Sequence, residues 1–162
     1  MQTPIQIITA NLDLPAHQDA VRSLTAAYAL DPMGSGKPLD DEVLRRLIAG
    51  LQSTPTTLIL LAFAGERAVG IATCFRGFST FLAKPLINIH DFAVLSEFRG
   101  QGIARQLLDA VTEQARTSGC GRVTLEVQQN NSRARRVYEQ CGFAHAVYGE
   151  TTGGSLFYIK AL

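Results

Sequence analysis

Glu97-Phe98-Arg99-Gly100-Gln101-Gly102-Ile103-Ala104 joins the apolar run Ile87-Asn88-Ile89-His90-Asp91-Phe92-Ala93-Val94 to a segment carrying Ile103, Leu107, Leu108, Val111 and Ala115 at helical spacing. The junction reads as strand, glycine-rich turn and amphipathic helix. Gly100 and Gly102 permit a tight turn and close approach of a ligand to the backbone, and the helix then offers its first unpaired N–H groups. The dipole at that end favours an anion.

Working outward on the C-terminal side, Ser118-Gly119-Cys120-Gly121 stops the helix, and Arg122–Gln128 alternates Val123, Leu125 and Val127 against Thr124, Glu126 and Gln128. This is a β-α-β unit, so its two strands are expected to be parallel with a right-handed crossover. Asn130 and Asn131 can cap a helix over Ser132–Cys141, with Ala134, Val137, Tyr138 and Cys141 on one face. Gly142 closes it and Phe143 packs back on its last turn. Ala144–Tyr148 and Ser155–Ile159 read as a final strand pair around Gly153-Gly154.

On the N-terminal side, Ile5–Thr9 reads as a strand and Leu14–Leu30 as a helix with Val21, Leu24, Thr25 and Tyr28 on one face, stopped by Asp31-Pro32. A loop through Gly34, Gly36 and Pro38 follows. A second helix starts at Asp40-Asp41-Glu42 and is expected to bury Leu39, Val43, Leu47 and Leu51. Thr57–Ala64 and Ala68–Phe75 flank Gly65-Glu66-Arg67 as a hairpin, and Arg76–Pro85 reads as a connection whose Phe78 and Phe81 line a pocket or cover a sheet edge. The expected fold is α/β (α+β) in one domain over residues 1–162. About seven strands form a mixed, mostly antiparallel sheet with a central parallel pair, and about four helices accompany it.

With 162 residues, 46% hydrophobic and 18% charged, the chain has an ordinary globular composition and enough length for one core. A net charge of +1 gives no basis for a nucleic-acid or acidic-membrane partner. Cys74, Cys120 and Cys141 cannot all pair and match no zinc spacing; they read as reduced packing residues, and no metal is expected. No apolar run reaches the roughly 18 residues of a membrane span, and Met1–Asn11 lacks a leader pattern, so a cytoplasmic location is the expectation.

The glycine turn by itself is also compatible with a purely structural bend. A dinucleotide fingerprint requires three spaced glycines, which Gly100, Gly102 and Ala104 do not supply, and a triphosphate loop requires a lysine that does not follow Gly102. Arg99, Gly102 and Ala104 do, however, resemble the pyrophosphate signature of the GNAT superfamily of acetyl-coenzyme A-dependent N-acetyltransferases. Asn131, Tyr138, Gly142 and Phe143 resemble its second signature at the expected separation. The resemblance covers Ile87–Ala144 well and the remaining chain through its element order.

The resemblance implies acetyl-coenzyme A as cosubstrate and places its contacts. Backbone N–H groups of Arg99, Gly100, Gln101, Gly102, Ile103 and Ala104 would hold pyrophosphate. Phe92, Ala93 and Val94 would pair with the pantetheine arm between two splayed strands, an N–H near Val94 would polarise the thioester carbonyl, and Asn131 would bond the pantetheine amides. Arg133, Arg135 and Arg136 are either phosphate contacts or a solvated face. Tyr138 is the implied general acid, since a phenol near pKa 10 can protonate a departing thiolate of about 8.5. For the base, His90, Asp91 or an ordered water stays open. Strand alternation puts Asn88, His90, Phe92 and Val94 on one face and Asp91 on the other unless a bulge intervenes. Family members carry an acid where this chain has Asn88 or His90.

Phe78–Phe81 with Lys84-Pro85 is similar to polyamine and diamine acetyltransferases and their bacterial relatives, and Asp31, Asp40, Asp41 and Glu42 could attract a cationic amine. The expected acceptor is a small-molecule primary amine. Alternatives are a protein lysine or N-terminus as acceptor, a non-catalytic acyl-coenzyme A module, and a nucleotide-binding regulator. An apolar Ser155–Ile159 strand would allow a homodimer.

Overall fold

Two alternating apolar runs separated by a Gly-containing turn make the hairpin on which the sheet is built. In the structure, a computed structural model that describes residues 4–146 and 158–160, these runs are β2 (Thr57–Ala64) and β3 (Arg67–Ser79). β1 (Ile5–Thr9) pairs outside β2, and β4 (Lys84–Val94) pairs on the other side of β3; all three contacts are antiparallel. β5 (Arg122–Leu125) completes the order β1-β2-β3-β4-β5 and runs parallel to β4, as a β-α-β unit requires.

The helices are α1 (Pro15–Leu30), α2 (Asp41–Ser53), α3 (Ile103–Thr117) and α4 (Ser132–Gln140). α3 buries Ile103, Leu107, Leu108, Val111 and Ala115 with Leu58, Leu60, Val69, Ala72, Ile87, Ile89 and Val94 on one face of the sheet. α1 and α2 bury Ala20, Val21, Leu24, Ile48 and Leu51 with Ile59, Leu61 and Ile71 on the other. The alternation of β2 is the direct cause: Leu58, Leu60 and Ala62 serve one core, Ile59 and Leu61 the other.

Several expectations change. The described residues form a five-stranded sheet, where about seven strands were expected. Of the final pair, residues 147–157 lie outside the described residues, and Ala144–Ala146 and Tyr158–Lys160 are not in strands. The connection expected from Arg76 to Pro85 is mostly strand, because Phe78 pairs with Pro85 and Ser79 with Lys84, leaving only residues 80–83 to turn. Continuous main-chain pairing there outweighs an irregular side-chain pattern. α2 packs through Ile48 and Leu51 while Val43 is exposed, so its buried stripe lies one position round from the one expected. β5 stops at Leu125 rather than Gln128. Cys74, Cys120 and Cys141 are free thiols; burial pushes the Cys74 thiol up to about 12. Among the described residues no helix is long and apolar enough to cross a membrane.

Candidate active site

β4 and β5 share only the register Leu86–Ile89 with Arg122–Leu125. Beyond that point β5 ends, but β4 continues through His90 to Val94, paired on its β3 side alone. The result is a wedge between the two strands. Leu95 donates its N–H to Val69 O at 2.9 Å, so alternation turns the backbone groups of Phe92 and Val94 to the open edge and those of Ala93 toward Ile71 of β3. An open strand edge offers unpaired N–H and C=O groups to an extended ligand.

The wedge leads to the glycine turn. A short 3₁₀ turn, Ser96–Phe98, brings the chain off β4; Gly100 and Gly102 then take φ of 78° and 77°, the left-handed region where a side chain is strained. Gly102 is the N-cap of α3 and contributes no side chain to it. Gln106 N–H is the first to close onto the turn, at Gly102 O (3.1 Å). Among the described residues no group accepts from the N–H of Gly100, Gln101, Gly102, Ile103 or Ala104, whereas the Arg99 N–H, expected in the same cradle, closes the 3₁₀ turn by donating to Ser96 O at 3.3 Å. These donors converge at the positive end of a 15-residue helix, which suits an anionic group.

The side chain of Arg99 has a different task. Its Nε donates to Val94 O at 2.9 Å and its terminal nitrogen to Asp31 Oδ2 at 2.6 Å. The Arg99 guanidinium, followed by the Met33 N–H, holds the Asp31 carboxyl below the usual carboxylate range. On the far side of the turn, Arg67 bonds Glu97 and lies over the Phe98 ring, 5.0 Å from its centroid.

Tyr138 comes from α4 and is buried, edge-on to Phe92 (5.9 Å between centroids) and tilted against Phe143 (6.0 Å). Its position follows from local signals. The Asn131 side chain caps α4 by accepting from Ala134 N–H at 3.2 Å, and Gly142, with φ of 87°, ends it so that Phe143 N–H returns to Tyr138 O at 3.0 Å. Burial, with Tyr28 as a lesser cause, pushes the Tyr138 phenol up to about 12. It keeps its proton at neutral pH.

A bulge in β4 decides where the titratable pair lies. Thr73 pairs with Asp91 and Cys74 with Ile89, so His90 is the extra residue. Side-chain parity therefore switches: Ile87 and Ile89 face α3 before the bulge, and Phe92 and Val94 face it after. His90 does not share the face of Phe92 and Val94, as simple alternation predicts. Its ring packs edge-on against Phe75, 5.6 Å away, a residue of the α1/α2 side. Asp91 turns its carboxyl toward α1, where burial raises its pKa and His90 partly offsets that; Tyr28, itself raised chiefly by burial, feels the Asp91 charge. Asn88 is occupied in bridging β4 to β5, donating to Thr124 Oγ1 at 3.0 Å.

The site thus gathers Phe92, Val94, the glycine turn, Tyr138 and the neighbouring His90 and Asp91. Asn131 uses its side-chain oxygen as a cap and retains its amide NH₂. Arg133 is exposed at the start of α4, within electrostatic reach of Asp31, whereas Arg135 bonds Gln129 O at 3.1 Å. The acidic groups expected to draw an amine are partly engaged: Asp31 with Arg99, and Glu42 with Arg45 and Arg46. Tyr28 as part of the surroundings of Asp91 was not singled out for chemistry in the sequence; only its place on the buried stripe of α1 signals it.

Comparison with known proteins bears on the family and the fold. Residues 21–143 match the model of the acetyltransferase (GNAT) family. An uncharacterized N-acetyltransferase of Bacillus subtilis (strain 168) is 42% identical over 55 residues, 34% of this chain and 35% of the relative. The chain spans 35% to 62% of the length of the first curated relatives it matches. Among solved structures, a probable acetyltransferase superposes with a TM-score of 0.80 at 25% identity, over 96% of this chain and 99% of the other. An aminoglycoside N-acetyltransferase in complex with CoA superposes at 0.72 with 22% identity, over 98% and 96% respectively, and speaks for the fold.

Proposed function

Because the chain belongs to the acetyltransferase (GNAT) family, we propose that it moves an acetyl group from acetyl-coenzyme A to the primary amine of a small molecule, by direct attack in a ternary complex. The observation that carries this reading is the wedge: β4 outruns β5 from His90 to Val94, and its open edge ends at a turn of free N–H groups. The pyrophosphate would sit on the N–H groups from Gly100 to Ala104. The pantetheine arm would run along Phe92 and Val94, bonded on its other side by the Asn131 amide.

With thioester and amine held together, attack needs no covalent enzyme intermediate. The amine nitrogen adds to the thioester carbonyl carbon and the Val94 N–H, on the open edge, stabilises the oxygen. The C–S bond then breaks, the amide remains on the acceptor, and the thiolate takes the phenolic proton of Tyr138. A phenol near 12 is fully protonated when the thiolate forms, and its buried phenolate is reprotonated as product leaves. His90 and Asp91 stand on the acceptor side of the bulge, and one of them, or a water between them, takes the ammonium proton. The raised Asp91 carboxyl suits that task better than an ordinary one would.

A small acceptor with one ammonium fits the half-buried carboxylate of Asp91. The diamine and polyamine reading drew on Phe78–Phe81 with Lys84-Pro85 and on Asp31, Asp40, Asp41 and Glu42; of these acids, Asp31 and Glu42 are paired with arginines. The test is a thermal-shift titration with coenzyme A against ATP, followed by thiol release with a panel of mono-, di- and polyamines and lysine peptides. A shift with coenzyme A and turnover on small amines are expected. A shift with ATP alone refutes the donor site, and turnover confined to peptides refutes the acceptor.

A further inference from the structure

The loop between α1 and α2 touches both sides of the wedge. On the β4 side, Asp31 Oδ2 accepts from Arg99 at 2.6 Å, and the same guanidinium holds Val94 O. On the β5 side, Gln128, just past the strand end, donates its Nε2 to Met33 O at 3.2 Å. Between these anchors the loop is closely organised. Asp31 Oδ1 accepts from Met33 N–H at 2.8 Å, and Asp31 O accepts from Gly34 N–H (2.8 Å) and Gly36 N–H (3.2 Å). Ser35 Oγ donates to Ala29 O at 3.0 Å, and a Cβ at Gly34 would lie 2.2 Å from Tyr28 O, so only glycine permits this approach to the end of α1.

We propose that Asp31 is a positioning residue that straps the α1–α2 loop across the mouth of the β4–β5 wedge, coupling order in that loop to occupation of the glycine turn. Arg99 is the shared element. It sits one residue before Gly100 and is held at three points: by its own backbone, by Val94 O and by Asp31. Any ligand that fixes the turn fixes Arg99, and through it the loop; loss of the strap frees both. The coupling is reciprocal, so ordering the loop tightens the turn by the same factor. The donor assigned to that turn rests on the function proposed above; the strap itself does not.

The side-chain chemistry supplies a selective variant. Asp31 uses one oxygen for Met33 N–H and the other for Arg99. Asparagine has one oxygen, which can keep the Met33 bond, while its NH₂ would face the Arg99 guanidinium donor to donor. Asp31→Asn therefore removes the strap and spares the loop turn. Asp31→Glu, which keeps both oxygens and the charge, should restore part of the effect.

The experiment is amide hydrogen exchange in the ligand-free protein, followed by coenzyme A titration. In Asp31→Asn, exchange at Phe98, Arg99 and Gln106, the hydrogen-bonded amides of the turn, is expected to rise about tenfold together with that of Gly34 and Gly36, while strand amides stay protected. Coenzyme A affinity should fall about tenfold, the size of one charge-assisted bond, with KM for acetyl-coenzyme A rising more than kcat falls. Gln128→Ala, which touches neither charge nor core, should give the same pattern about threefold weaker. Unchanged exchange at the turn in both variants overturns the strap, and so does altered exchange with unaltered coenzyme A affinity. If coenzyme A fails to bind even the parent protein, the donor assignment falls, and exchange at the turn alone decides the strap.

Discussion

From Lys84 to Phe143 the groups that face the wedge are mostly main-chain N–H and C=O, set out by strand register, two left-handed glycines and a helix start. From Asp31 to Leu51 the polar groups are side chains, and several are already engaged with each other or with Arg99. The first region has donors waiting for a ligand. The second has a fold held by its own pairs. A backbone-made site tolerates changes of side chain and is broken by changes of path, whereas a side-chain-made region answers to single charges. The two regions meet at Arg99 and at the His90–Asp91 bulge.

The largest effect should come from Tyr138, the side chain proposed as the general acid. Tyr138→Phe keeps the ring contacts with Phe92 and Phe143, so coenzyme A affinity and melting temperature should hold. Turnover should fall about a hundredfold or more, the usual contribution of a general acid. Thiol release under saturating donor checks it. Turnover within a factor of two of the parent would leave the region with backbone functions only.

Next in size is a change of path. Gly102→Ala meets open space around its Cβ, so its cost is the left-handed φ alone, about 1–2 kcal/mol. If that cost is relieved by moving the turn, coenzyme A affinity drops roughly tenfold for each ~1.4 kcal/mol. Gly119→Ala is the control at the other end of α3, with φ of 68° and equally open space. It should cost similar stability and no affinity. Equal affinity losses in the two variants would mean that the turn is not the donor site.

This contrast also explains what could be read from the chain beforehand. Gly100, Gly102 and Gly142 announce main-chain geometry by residue type, and all three take positive φ. The order strand, turn, helix, strand follows from periodicity, and the Phe143 return to Tyr138 follows from Gly142. The bulge at His90 carries no such mark: no glycine stands there, and its register is set by pairing with Thr73 and Cys74 some fifteen residues away. Simple alternation therefore misplaced His90. The Arg99–Asp31 bond joins residues 68 apart, and neither residue type predicts that partner. Strand lengths were misread for the same reason, since β3 and β4 are prolonged by their shared hairpin and β5 stops where it parts from β4.

The bulge gives a pH test. Burial raises the Asp91 pKa above its unfolded value near 3.9. For a raised group, its favourable contribution is complete below the unfolded pKa and is lost as pH rises through the folded one. Asp91→Asn cannot ionise and loses nothing over that window. The melting temperature of the variant relative to the parent should therefore climb as pH rises above the unfolded pKa and level once pH has passed the folded one. A difference that stays constant with pH would place Asp91 in water and remove it as a candidate base. Asp31 runs the opposite way: its lowered pKa adds stability above the unfolded value, lost as pH falls through the folded one.

The smallest effect is expected at the tip of the β3–β4 hairpin. Phe81 is 89% exposed in the four-residue turn between Ser79 and Lys84, and Phe78 is 63% exposed beside it. Phe81 leaves almost no area to lose, so Phe81→Ser should change stability by less than about 0.5 kcal/mol. Its bearing on function is sharper than its size. If the acceptor is a small amine held at His90 and Asp91, KM for the amine should stay within twofold, because the tip lies at the opposite end of β4 from Val94. A severalfold rise in KM for amines with long carbon chains, with none for short ones, would extend the acceptor site along the hairpin and bring the side-chain region's share of recognition closer to that of the backbone.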